Sequence, residues 1–155
     1  ASRETRHLIA GLRPPALDEL GVIDALEMLI ADVRLEIKDI NFRHNLHEKR
    51  LPTQIEVTLF RISQESLTNI RKHSSANQVR VELIQEEGGT VSLTIHDDGC
   101  GFDSMSQREN CFGLEGIRQR AIHNGGTVSI HSLPANGTTV HVKFPASITR
   151  GTSQL

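Results

Sequence analysis

The sequence predicts an α+β fold: a two-layer sandwich with helices on one face of a mixed, mostly antiparallel sheet. Apolar residues recur at helical spacing from Leu20 to Val33 and again from Ile55 to Ile70. Two pairs of short strand-like runs, 79–85 with 91–97 and 127–131 with 138–144, are each joined by a glycine-bearing turn. A further helical stretch, 113–123, lies between the two pairs. Runs of helix, then hairpin, helix and hairpin, segregate the layers.

The elements follow in order. Residues 2–12 read as a helix with Leu8, Ile9 and Leu12 on its apolar edge. Pro14-Pro15 ends it, because proline lacks the N–H and clashes with the preceding turn. A second helix spans 18–38, with Leu20, Ile23, Leu26, Leu29, Ile30 and Val33 at helical spacing. Residues 40–46 alternate weakly and predict an edge strand. Pro52-Thr53 opens a long helix over 53–73, with Thr53 expected as its N-cap and Ile55, Leu59, Ile62, Ser66 and Ile70 as its core stripe. Glu87-Gly88-Gly89 turns the first hairpin, and residues 103–112 are polar and irregular. Asn124-Gly125-Gly126 stops the 113–123 helix, and Pro134-Ala135-Asn136-Gly137 turns the second hairpin. From Ser147 onward periodicity is absent, which predicts a frayed, flexible tail over 147–155.

Composition narrows the classes. A chain of 155 residues fits one domain, and 37% hydrophobic with 23% charged residues is an ordinary globular mix. A net charge of -2 creates no field that attracts nucleic acid, and without Trp or Tyr only five Phe are left to stack on bases. No direct nucleic-acid partner is therefore expected. Cys100 and Cys111 match no zinc or redox spacing and read as two free thiols of a reducing, cytoplasmic compartment. His44 and His47 fall on opposite faces of a strand and make a poor zinc pair. No apolar run approaches the length of a membrane span, and no signal peptide is visible. The chain opens on Ala1, so it reads as part of something longer whose membrane anchorage stays open.

Four motifs carry the chemistry. On the 53–73 helix, Arg61, Glu65, Asn69 and His73 are spaced by four and share a face, with Lys72 beside them. Such a face serves solvent in most helices. Here Asn69 offers a hard amide oxygen to Mg²⁺, and Glu65 stands one turn earlier to hold a water or act as a base. Lys72 and His73 add positive groups for phosphates. In Asp97-Asp98-Gly99-Cys100-Gly101-Phe102, a carboxylate at a strand end can accept from the exocyclic amine of adenine, and the glycines let backbone approach a flat ligand. A plain tight turn is the competing reading. Phe112-Gly113-Leu114-Glu115-Gly116 opens a helix whose free N–H groups suit an anion, and the 103–112 loop before it is a candidate lid. Gly137-Thr138-Thr139 leads into the last strand, as an ordinary hairpin turn or as part of the pocket wall. The Gly-x4-Gly-Lys pattern of a P-loop is absent.

Taken in this order, the motifs resemble the asparagine box and glycine boxes of the Bergerat-fold ATPases, which include histidine kinases, gyrase, MutL and heat-shock chaperone ATPases. Gln64-Glu65-Ser66-Leu67-Thr68-Asn69 with Lys72-His73 looks like the histidine kinases that pair with NarL/LuxR-class response regulators. Leu12-Arg13-Pro14-Pro15-Ala16-Leu17-Asp18-Glu19-Leu20-Gly21 is similar to the linker after their dimerisation domain, and Phe112 to Arg120 fits the same subgroup. The resemblance runs from about Leu8 to Pro145.

The resemblance implies a domain plan: the end of a dimerisation helix at 1–13, a linker at 14–21, an ATP-binding catalytic domain at 22–146 and a tail. It implies ATP and Mg²⁺ as cofactors, Asn69 as metal ligand and Glu65 as the catalytic acidic residue. Asp97 would bind the adenine amine, with Gly99, Gly101 and Phe102 beside it. Gly113, Leu114 and Gly116 would form the phosphate side, and Thr138 and Thr139 would complete the nucleotide site. The implied partners are the parent's own dimerisation and phosphoacceptor domain, a response regulator, and a second copy in a homodimer. One departure stands out. The family's phosphoacceptor histidine precedes an acidic residue in a box on a dimerisation helix, whereas His7, in the right sort of helix, precedes Leu8, and none of the other histidines sits in such a box. The chain alone is therefore expected to bind ATP without phosphorylating itself. A serine kinase of the same fold that binds a sigma factor, and a degenerate nucleotide-binding module, are the alternative readings.

Overall fold

The computed structural model describes residues 14–47, 50–101 and 111–150, the side chains of Cys111 and Phe112 excepted. The helix expected over 2–12, His7, Phe102 and most of the 103–112 loop lie outside the described residues. In chain order the elements are α1 (Pro15–Leu20), α2 (Val22–Val33), β1 (Asp39–His44), α3 (Thr53–Asn69), a π-helical turn (Ile70–Ser74), β2 (Gln78–Gln85), β3 (Val91–Asp97), α4 (Cys111–His123), β4 (Thr127–Ser132), β5 (Thr138–Phe144) and α5 (Ala146–Thr149).

The five strands form one sheet in the order β1-β2-β3-β5-β4. Only the β1–β2 pairing is parallel, so the sheet is mixed and mostly antiparallel, with β1 at one edge. Strand alternation puts every second residue on the helix-covered face. Val81, Ile95 and Val140 align across one row, and Leu83, Leu93 and Val142 across the next. All six are buried, and Ile55, Leu59, Ile62, Leu26 and Ile30 from the helices complete the same core. Removing such a side chain to Ala costs about 2–5 kcal/mol. The row beyond Val81 is Val79, Asp97 and Thr138. The register therefore carries a carboxylate onto the covered face, at the end of the apolar rows.

Several boundaries differ from the sequence reading. The stretch expected as linker and then as one helix over 18–38 is two helices. Gly21 interrupts them at φ 99°, a conformation open to glycine, and its N–H donates to Ala16 O at 3.2 Å. Leu17 of α1 is buried in the core, so this segment belongs to the packed unit. Helix α2 ends at Val33, where Arg34 turns and sends its guanidinium to Ile40 O. Pro52, not Thr53, occupies the N-cap of α3, and no side chain caps that end. The first turn is tied instead by buried Glu56, which accepts from Leu51 N–H and from Arg50. Helix α4 starts at Cys111, two residues ahead of the expected start. Residues 146–149 form α5, where a frayed tail was expected. Thr149 is buried there and donates its hydroxyl to Gly89 O at 2.6 Å, pinning the segment to the β2–β3 turn.

Candidate functional site

The end of α3 is where the helix departs from α geometry. Ile70–Ser74 forms a π-helical turn, closed by Ser75 in the left-handed region at φ 53°. Such wide turns leave backbone groups turned outward and recur at functional sites. Ser74 O here accepts from Cys100 N–H at 2.7 Å, and Cys100 O accepts from Ala135 N–H at 2.6 Å. The π turn, the Asp97 loop and the β4–β5 turn are thus bonded in series. The Cys100 thiol is free and donates to His73 O at 3.2 Å.

A cavity of about 530 Å³, partly open to solvent, lies between these segments. Ser66, Asn69, Ile70 and His73 wall it from the helix side, Ile95, Asp97, Thr138 and Val140 from the sheet, and Gly101 and Leu114 from the flanking segments. Among the described residues, Ile70, Ile95, Leu114 and Val140 give this lining its apolar part and Asp97 brings a carboxylate to it.

Asp97 is 2% exposed. Burial pushes its carboxyl above the ordinary range, and hydrogen bonding from Gly99 N–H, with His96 nearby, partly offsets that rise. The adjacent Asp98 does something different. Its exposed Oδ1 accepts from Asn77 N–H and Gln78 N–H, both at 2.9 Å, and these bonds lower its pKa. Asp98 staples the start of β2, while Asp97 faces the cavity.

Among the expected site residues, Asn69, His73, Asp97, Gly101, Leu114 and Thr138 come together around this cavity. Gly99 sits just behind, its backbone against Ser74 and the Asp97 carboxylate. Glu65 stands one turn before Asn69. A Cβ on Gly113 would lie 2.9 Å from Asn69 Nδ2 and 3.3 Å from Glu65 Oε1, so the missing side chain lets α4 close over both. The amide and carboxylate oxygens gathered beneath Gly113 are hard donors of the kind Mg²⁺ takes. Gly116 has open space around it, and Lys72 is exposed beside the cavity rather than lining it. Thr139 lies on the opposite sheet face, hydrogen-bonded to His96 Nδ1 at 2.7 Å, because it alternates with Thr138. Ser66, Ser74, Ile70, Ile95 and Val140 also line the cavity and were not singled out for it from sequence. A hydroxyl within an apolar stripe, as at Ser66, was the one available signal.

Residues 54–148 match the family of histidine kinase-, DNA gyrase B- and HSP90-like ATPases. The chain belongs to this ATPase family. Among curated proteins it is 36% identical, over 92% of its length, to the signal transduction histidine-protein kinase/phosphatase DegS of Brevibacillus brevis. It is 34% identical, again over 92%, to the sensor protein VraS of Staphylococcus haemolyticus. It spans 37% of the DegS protein and 40% of the VraS protein. Two solved structures share the fold. The histidine kinase domain of the Erythrobacter litoralis EL346 blue-light activated kinase aligns with a TM-score of 0.61 at 20% identity, over 78% of this chain and 59% of that one. The mycobacterial sensor histidine kinase MprB aligns with a TM-score of 0.57 at 21% identity, over 79% and 93%. The matched stretch of the ATPase domain contains all four motifs.

Proposed function

We propose that this ATPase-family domain is the ATP-binding catalytic domain of a two-component sensor histidine kinase. It transfers the γ-phosphoryl of ATP to a histidine on the parent's dimerisation domain, for relay to a NarL/LuxR-type response regulator. The observation that carries the reading is the meeting of Asn69 and Asp97 in one cavity. They sit on different elements and suit opposite ends of ATP.

In this reading Asp97 accepts from the adenine amine, while Ile70, Ile95, Val140 and Leu114 hold the ring. Asn69 holds Mg²⁺, which when bound neutralises phosphate charge. Glu65 orients the acceptor or takes its proton, and Lys72 and His73 approach the phosphates. Gly99 and Gly101 lie along the base, and Gly113 and Gly116 along the phosphates. Catalysis of this kind rests mainly on positioning and electrostatics. The kinase acts in a homodimer of the full-length parent, on the cytoplasmic side. Among the described residues no helix is long and apolar enough to cross a membrane.

Calorimetric titration with Mg²⁺ and a non-hydrolysable ATP analogue tests the reading, with a GTP analogue as control. Adenine-selective, Mg²⁺-dependent binding is expected. Adding a dimerisation domain from the parent with radiolabelled ATP then tests transfer, as acid-labile label on histidine. Absence of nucleotide binding overturns the proposal.

A further inference from the structure

Four buried hydroxyls lie on α3 and the π turn. Three bond back to their own helix: Thr58 to Gln54 O at 2.7 Å, Ser63 to Leu59 O at 2.8 Å and Ser74 to Ile70 O at 3.0 Å. This is the usual resting place of a helical serine or threonine. Ser66 does not take it. It is 3% exposed, and among the described residues its Oγ is the one buried side-chain oxygen or nitrogen without a hydrogen-bond partner. It also lines the cavity, together with Asp97 and Thr138. A buried polar group left unpaired is unfavourable and calls for an explanation.

Adenine supplies one. The edge that presents its exocyclic amine also presents ring nitrogen N1, an acceptor, directly beside it. Ionised Asp97 can only accept, so it serves the amine and leaves N1 unserved. A donor is needed close to the carboxylate. Among the described residues the cavity has three side-chain hydroxyls, on Ser66, Ser74 and Thr138. Ser74 donates to Ile70 O, and Thr138 Oγ1 is paired with Ser132 Oγ at 2.8 Å. Of these three, Ser66 is the one left uncommitted. We infer that Ser66 is a base-binding residue whose O–H donates to N1 of the adenine held by Asp97. The inference rests on the ATP reading above and adds a second polar anchor to it.

The test compares the wild-type chain with Ser66→Ala, each titrated with a non-hydrolysable ATP analogue and with its 1-deaza counterpart, in which C–H replaces N1. The wild type is expected to lose about tenfold in affinity when N1 is removed. Ser66→Ala is expected to lose about tenfold toward the parent analogue, and little more when N1 is also removed. Equal N1 losses in both proteins overturn the inference, as does undiminished affinity of Ser66→Ala for the parent. Thermal unfolding without nucleotide separates binding from structure. Removing an orphaned hydroxyl leaves the midpoint unchanged or raises it, and a lowered midpoint gives Ser66 a structural role and overturns the inference. A wild-type chain that binds neither analogue overturns the ATP reading itself, which the Ser66 variant alone cannot do.

Discussion

The N–H of Gly99 donates to Asp97 Oδ1 at 2.8 Å, folding the loop back onto the carboxylate it follows. That contact keeps a buried acid oriented without neutralising it. The carboxyl holds its proton more readily here than in water, since burial outweighs the opposing bonds. Asp97 therefore favours the native state most below the ordinary value of 3.8, and the benefit is lost as pH rises through its own higher pKa. Across that window the native state holds more protons than the unfolded chain. Asp97→Asn escapes the loss. Urea melts at a series of pH values are expected to show the variant gaining on the wild type as pH rises through the window. A constant difference would remove burial of the charge as the cause.

The same substitution is expected to erode base selectivity. An amide replaces an acceptor-only carboxylate, so guanine O6 meets a donor where it previously met a charge. About tenfold of the ATP-over-GTP preference should disappear, corresponding to roughly 1.4 kcal/mol. Competition titrations with the two analogues read this directly, and an unchanged ratio would remove Asp97 from base recognition.

Asn69→Ala is expected to abolish the Mg²⁺-dependent part of nucleotide binding while leaving the fold intact. Asn69 is half-buried at the last turn of α3, outside the core cluster. Calorimetry with and without Mg²⁺ checks the first part, and far-ultraviolet circular dichroism checks the second. Full Mg²⁺-ATP affinity in the variant would exclude Asn69 as the ligand.

Gly137→Ala is expected to damage both stability and binding. Gly137 sits at φ 75°, and a Cβ there would run into the Asp97 carbonyl. The backbone conformation alone costs roughly 1–2 kcal/mol for a non-glycine residue. Relief requires β5 to move away from Asp97, which loosens the Asp97 end of the cavity. Gly88→Ala, with open space around it, is the matched control and should cost much less. Thermal melts and analogue titrations of the two variants make the comparison.

Glu56 ties the approach to α3 by accepting from Leu51 N–H at 3.3 Å and from Arg50 at 2.9 and 3.1 Å. Glu56→Ala strands the Leu51 N–H, which costs about 1–3 kcal/mol. Glu56→Gln keeps an acceptor and should lose less. The urea midpoints of the two variants give the order, and equal losses would put the effect in charge rather than in the stranded N–H.

Much of the site was legible because its residues sit in short local patterns. The spacing of Glu65 and Asn69 is a helical repeat, and Asp97 ends a strand whose alternation is plain in the sequence. Other features were hidden because they depend on distant partners. Thr138 and Thr139 look alike in sequence, yet pairing of β5 with β3 sends one to the cavity and the other to His96. Asp97 and Asp98 are adjacent, yet one is buried at the cavity and the other staples β2.

By itself, then, the sequence determined the layers, both hairpins, the helix stops at Gly125 and the residue types able to meet ATP, since periodicity and turn chemistry act over a few residues. Only the tertiary structure decided the break at Gly21, the docking of α5 through Thr149, the π turn beyond Asn69 and the unpaired hydroxyl of Ser66. Each of these depends on which backbone or side-chain group from elsewhere in the chain arrives to accept or refuse a hydrogen bond, and that is set by packing and strand register.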